Sequence, residues 1–188
     1  MTSSVCAVPL QDGPLFIADP FVNVNPSEDQ LVVATQDCLD FIRKFGLEPK
    51  VALLSHSNFG TYDDEGAHKM KVAADRLRGF NPDLEIDGEM HAISAFNEQL
   101  RSSIYQNNHL TGRANLLIMP NMDAASIALG LSRSITNANM IGPYLNGLDK
   151  AAHILIPSVS ARGIFNMAAL TVEDSLTQRG GVQQSLLA

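Results

Sequence analysis

Residues 112–131 read GRANLLIMPNMDAASIALGL. Asn115–Met119 is an apolar run of strand length, and Pro120 biases Met119 toward extended backbone. Asn121 is then placed to cap a helix, and Asp123 puts negative charge near that helix's positive end. Ala124, Ala128, Leu131 and Ile135 recur at helical spacing, so this face is expected to pack inward. The unit is strand–turn–helix, the building block of parallel α/β sheets, whose ligands lie outside the carboxyl ends of strands. Pro120, Asn121 and Asp123 are therefore site candidates, and a capped helix start without a ligand explains the same residues equally well.

The same alternation extends in both directions. Toward the amino terminus, Val51–Leu54 is a strand that empties into SHSNFGTYDDEG. A Ser- and Gly-rich loop before a helix can present N–H groups to an anion, which makes Ser55, His56, Ser57 and Asn58 candidates. The loop lacks the spacing of a Walker or dinucleotide motif, and a polar cap for the helix carrying Ala67, Met70, Ala74 and Leu77 accounts for it too. Before it, Leu15–Ala18 is a short strand. Ser27 and Gln30 have capping-box spacing ahead of a helix whose face is Leu31, Ala34, Cys38, Phe41, Ile42 and Phe45, with Gly46 as its stop. Residues 1–14 read as a flexible segment.

Toward the carboxyl terminus of the loop's helix, Leu84–Ile86 is a brief strand, and Asp87-Gly88-Glu89-Met90-His91 reads as a turn with solvent-facing acids, too few to specify a metal. A helix is expected from about Ile93 to Tyr105. His109 lies in the following loop and is assigned no role. Beyond the central unit, Ile141-Gly142-Pro143 opens another strand and turn, Asn146-Gly147 is a turn signal, and His153–Ile156 is a last strand. Ser160 caps a final helix through Ile164, Met167, Ala168 and Val172, and residues 176–188 read as a tail. The expected architecture is α/β: three layers, α/β/α, around a mostly parallel sheet.

Composition narrows the function classes. The 188 residues are 45% hydrophobic and hold 13 basic against 20 acidic side chains, for a formal charge of −7. That balance argues against nucleic acid or an anionic membrane as the main partner. No apolar run reaches bilayer length, and MTSSVCAVPLQDGP has no basic region and a proline within its apolar stretch, so it is no secretory signal. Two cysteines, Cys6 and Cys38, make no disulfide framework and read as reduced, cytoplasmic thiols.

Several segments together resemble the phosphate acetyl/butyryltransferase family: VALLSHSNFG (51–60), PDLEIDGEMHA (82–92), GRANLLIMPNMDAASIAL (112–129), IGPYLNGLDKAAHIL (141–155) and FNMAAL (165–170). They cover most of residues 15–175. The resemblance implies a lobe of a two-lobed domain whose coenzyme A and acyl-phosphate site lies in the cleft, and this chain looks like the second half. ADPFVNVNPSEDQL (18–31), Ser57-Asn58-Phe59-Gly60 and HILIPSVSARGIFNM (153–167) are more similar to the domain fused behind the catalytic part of bacterial NADP-dependent malic enzymes. Active members of the family carry Thr-Lys-Gly where Asn58-Phe59-Gly60 stand, and a Ser-Arg-Gly-Cys motif followed by Asp. Counted from Gly142-Pro143, those motif positions hold Ile156, Pro157, Ser158, Val159 and Gly163. Acyl transfer between coenzyme A and phosphate needs a base, an oxyanion donor and a cation, and Ile, Pro and Gly supply none. The sequence gives no reason to place neighbouring Arg162 in the site.

The resemblance therefore implies a non-catalytic domain of a malic enzyme that binds acetyl-CoA or another acyl-CoA through Ser55, His56, Ser57, Asn58, Asn121, Asp123 and Ser158, regulates the enzyme and forms homo-oligomers. Two alternatives stand beside it. One is a working transferase using His56, Ser57 and Asp123, and the other is an oligomerisation scaffold without a ligand. Basic groups around the Ser55–Gly60 and Asn121 loops would separate a sensor from a scaffold.

Overall fold

The computed structural model describes residues 1–157 and 159–185, with the side chains of 178–185 left undescribed. Its strands are β1 (Ser3–Val8), β2 (Leu15–Ala18), β3 (Lys50–Leu54), β4 (Glu85–Met90), β5 (Leu116–Ile118) and β6 (Ile141–Asn146). The helices are α1 (Glu28–Lys44), α2 (Glu65–Phe80), α3 (Ala92–Phe96), α4 (Glu98–Ile104), α5 (Met122–Thr136) and α6 (Ala161–Ser185). The strands form one sheet in the order β4-β3-β5-β2-β1-β6. β4, β3, β5 and β2 are mutually parallel, while β1 runs antiparallel between β2 and β6.

Period-two alternation builds the layers. Val5, Phe16, Val51, Leu53, Leu116 and Ile118 face one way, against Leu39 and Ile42 of α1 and Met70 and Leu77 of α2. Their neighbours Cys6, Ile17, Ala52 and Leu117 face the other way, against Ala95 of α3 and Ala125 and Leu129 of α5. The sheet is thus covered on both sides, which is why its strands read as continuous apolar runs. Among the described residues no helix is long and apolar enough to cross a membrane.

Six expectations are corrected. Ser3–Val8, expected within a flexible segment, is a fully buried strand paired on both sides. Ser4 is tolerated there because its N–H and Oγ both donate to the Asp19 carboxylate. The helix expected over 93–105 breaks at Asn97, whose side chain accepts from Leu100 N–H and so starts α4. Asp87 and Glu89, expected in an exposed turn, lie inside β4 and are buried. His153–Ile156 forms no strand: the Leu145 N–H of edge strand β6 donates to His153 Nδ1 instead of to a further ladder. On α5, Ala125 and Leu129 are buried and Ala124 and Ala128 half-buried, whereas Ile127, Leu131 and Ile135 are exposed. The helix backbone of α6 continues through residues 176–185, which read as a tail.

Candidate functional site

The carboxyl ends of β3, β4, β5 and β2 lie on one edge of the sheet, and the Ser55–Asn58 and Asn121–Asp123 candidates are on its loops. The loop after β3 is folded around Glu89, which is only 2% exposed. Its Oε1 accepts from Ser57 Oγ at 2.7 Å and from Gly60 N–H at 2.6 Å, while its backbone carbonyl accepts from Phe59 N–H. Asn58 Oδ1 accepts from His91 N–H at 2.9 Å, and Ser55 Oγ accepts from Ser57 N–H. Ser57 and Asn58 are therefore buried braces of the loop. His56 is exposed and pairs with Asp64 at 2.8 Å, and the Asp64 carboxyl is held low first by the Ala67 N–H it caps and also by that imidazole.

Across the edge, Asn121 Oδ1 accepts from Ala124 N–H, the cap expected from sequence, and Asp123 is exposed in the first turn of α5. A cation beside the Asn121 loop is Lys69 of α2. Its Nζ reaches Pro120 O at 2.8 Å, Asn25 Oδ1 at 3.0 Å and Pro26 O at 3.2 Å. All three are neutral acceptors, and burial lowers the Lys69 pKa. Lys69 ties α2 to the turns after β2 and β5.

The positions that the resemblance assigns to the catalytic set lie elsewhere. α5 carries the chain to the opposite edge, where β1 ends and β6 begins. There Ile156, Val159 and Gly163 line a cavity of about 40 Å³ together with Arg133, and Gly163 also lines an adjoining cavity of about 360 Å³ with Arg162, Asn139 and Asn166. Pro157 is exposed beside them, and Ser158 lies outside the described residues. Ser160 Oγ accepts from Gly163 N–H at 3.1 Å and starts α6 as expected. A side chain at Gly163 would bring its Cβ within 2.7 Å of Val159 Cγ2, so the aspartate of active relatives does not fit without moving Val159. Among the described residues neither Arg133 nor Arg162 forms an ion pair or a side-chain hydrogen bond. Nothing in the sequence marks Arg133, because a basic residue near a helix's end is ordinary dipole chemistry.

A second polar cluster pins the segment that leads to this edge. Asp174 of α6 accepts from Lys44 Nζ (2.7 Å), Tyr144 Oη and His153 Nε2 (3.1 Å). Because His153 Nδ1 accepts from Leu145 N–H, Nε2 carries the proton and the ring is neutral. Burial lowers the His153 pKa, with Asp174 opposing; burial and Asp174 together push the Tyr144 phenol up to about 12. Lys44 is raised in spite of burial by its bonds to Asp174 and Tyr144, and the bonds that Lys44 and Tyr144 donate to Asp174 hold its carboxyl low in spite of burial. Between pH 7 and 5 the unfolded chain takes up a proton on His153, with ordinary pKa about 6.5, before the folded chain does, so stability falls across that window. Urea midpoints at pH 7 and 5.5 should differ in that direction, and His153→Asn should flatten the difference.

The model of the phosphate acetyl/butaryl transferase family matches residues 1–172. The chain belongs to this family. It is 47% identical over 165 residues to the NAD-dependent malic enzyme of Rhizobium meliloti, covering 88% of this chain and 21% of that protein. It is 44% identical over 173 residues to the NADP-dependent malic enzyme of Escherichia coli, covering 92% of this chain and 23% of that protein. A crystal structure of a phosphotransacetylase from Streptococcus pyogenes superimposes with a TM-score of 0.87 at 26% identity, over 94% of this chain and 54% of that one. This member of the family thus spans about a fifth of the malic enzymes it matches and about half of the phosphotransacetylase. The α/β expectation and the family resemblance both hold.

Proposed function

We propose that this domain binds acetyl-CoA, or another acyl-CoA, without turning it over, and that it serves a malic enzyme in the cytoplasm as a regulatory and oligomerising part. The observation that carries the reading is the edge where Arg133 and Arg162, without an ion pair or side-chain hydrogen bond among the described residues, stand beside Ile156, Pro157, Val159 and Gly163. Two guanidiniums answer phosphate groups, and the segment offers no base for a thiol and no oxyanion donor from those side chains. The ligand regulates only by binding two conformations of the parent enzyme unequally. Ile127, Leu131 and Ile135 on α5, with Phe165, Val172 and Leu176 on α6, are exposed apolar surface that supports self-association. The carboxyl-edge candidates are less suited to direct contact, since Ser57 and Asn58 are committed to Glu89, His91 and Ser94.

Calorimetric titration of acetyl-CoA into the malic enzyme that carries this domain tests the reading, with an acyl-phosphate formation assay on the same sample. Saturable binding without turnover is expected. Arg133→Ala and Arg162→Ala should each weaken it roughly 10- to 100-fold, the worth of one charge-assisted hydrogen bond. Turnover would restore an active phosphate acyltransferase, and silence in both assays would leave a scaffold.

A further inference from the structure

The loop between β6 and α6 is fastened through an imidazole. β6 is an edge strand, and its Pro143 has no N–H to give. Its Leu145 N–H donates to His153 Nδ1 at 3.1 Å, while His153 Nε2 donates to Asp174 Oδ2 of α6 at 3.1 Å. The imidazole also lies 4.3 Å from the Tyr144 ring, and its side chain is 3% exposed. With one nitrogen accepting and the other donating, the ring fits its place only in the neutral form. A further proton can enter only at Nδ1. It would set a second donor against the Leu145 N–H, breaking that bond and leaving a buried N–H without an acceptor. Three residues on, Ile156 lines the cavity of about 40 Å³ that also holds Arg133.

The groups bonded or stacked against the ring keep their charge between pH 7 and 5. Asp174 of α6 stays a carboxylate, Lys44 of α1 an ammonium and Tyr144 of β6 a phenol. Asp37 and Asp40 of α1 and Lys150 of the loop line the same cavity as His153, and burial raises the Asp37 carboxyl, so Asp37 is the neighbour to control for. We propose that His153 is a proton-operated latch: neutral, it fastens the segment from Gly147 to Ile156 to both β6 and α6, and charged, it lets go of β6 and loosens the wall that Ile156 gives to the Arg133 cavity. Burial lowers the point at which the ring charges, so the latch opens below the ordinary histidine value of about 6.5. The latch stands on the bonds of the ring; its effect on a ligand rests on the acyl-CoA reading.

The test is a pH titration of the 188-residue chain from 7.5 to 5 by NMR, with leucine amides and histidine rings isotopically labelled. The Leu145 amide proton should move upfield with the midpoint of the His153 ring, below pH 6.5, and its protection against hydrogen exchange should fall about tenfold or more. Asp37→Asn should retain that titration. His153→Asn, whose Oδ1 can accept from Leu145 N–H, should hold the amide in place throughout. Calorimetry with acetyl-CoA reads the consequence: between pH 7.5 and 5.5 its Kd should rise at least threefold more in the parent than in His153→Asn. The variant is the reference because a phosphate monoester titrates near pH 6 in either case. A Leu145 amide that stays put while the His153 ring titrates, a ring still neutral at pH 5, or loss of the titration in Asp37→Asn would overturn the latch. Equal pH dependence of Kd in the two chains would overturn its hold on the site. No acetyl-CoA binding at pH 7.5 beside a moving amide would support the latch and remove the acyl-CoA reading instead.

Discussion

Replacing Gly88 by alanine should cost about 4 kcal/mol, a fall of roughly 10 °C in Tm, or abolish soluble folded protein. Gly88 sits in β4 at φ +150°, paired in register with Leu53 of β3. A Cβ built there would stand 2.7 Å from Leu53 O, 2.8 Å from Leu53 Cβ and 3.2 Å from Leu53 Cα. Two of those atoms are backbone, so the contact is relieved only by moving one strand away from the other, in the middle of the parallel ladder. Overpacking costs about 1–3 kcal/mol and a strained φ a further 1–3, against a total stability of about 5–15. The damage also reaches the loop, because the next residue is Glu89, the acceptor for Ser57 and Gly60. Gly130→Ala is the matched control. Gly130 lies inside α5 with nothing within 4 Å of a built Cβ, and alanine there should stabilise by about 0.5–1 kcal/mol. Thermal melts of the two variants followed by circular dichroism check the pair. A Gly88→Ala protein within about 1 kcal/mol of the parent would contradict the close approach of β3 and β4.

What the sequence makes legible and what it hides divide along physical lines. Local chemistry reads well. The Ser27–Gln30 capping box is formed reciprocally, Asn121 caps α5, and Gly46 takes the positive φ that follows α1. Short apolar runs such as Val51–Leu54 are strands because both of their faces are covered. Long-range pairing is what fails to show. Asp87-Gly88-Glu89 has turn composition, yet Asp87 is buried because Arg78 Nη1 and the His109 N–H donate to it, and Glu89 because a loop some thirty residues earlier closes over it. β1 is hidden for the same reason: its opening serines look solvated until Asp19 is brought beside Ser4. On α5 the spacing of Leu131 and Ile135 is helical, but periodicity does not state how far along its length the helix stays on the sheet. As for the site, the substituted motif positions could be counted from Gly142-Pro143. Their separation from Ser57 and Asn121 by the width of the sheet could not.

Asp174→Ala should cost about 3–5 kcal/mol, a fall of roughly 10 °C in Tm, although it removes one carboxylate from a helix with an exposed apolar face. The reason is that three donors on three different segments converge on it: Lys44 at the end of α1, Tyr144 in β6 and His153 in the loop before α6. Lys44 keeps a side chain about a third exposed and can return to water. His153, only 3% exposed at its side chain, cannot, and the Tyr144 hydroxyl is left with Lys44 Nζ, itself a donor. Unpaired buried donors of this kind cost about 1–3 kcal/mol each. Asp174→Asn keeps one acceptor oxygen and should lose about half as much. Lys44→Met should lose less still, since Asp174 retains two donors. Denaturant unfolding of the three variants gives the order directly, and a loss below about 1 kcal/mol for Asp174→Ala would remove the network from the account of stability. The same variant links stability to function. His153 is three residues before Ile156, and its bond to Asp174 ties the segment carrying Ile156 and Val159 to α6. Asp174→Ala should therefore also weaken acyl-CoA binding at the Arg133–Arg162 edge.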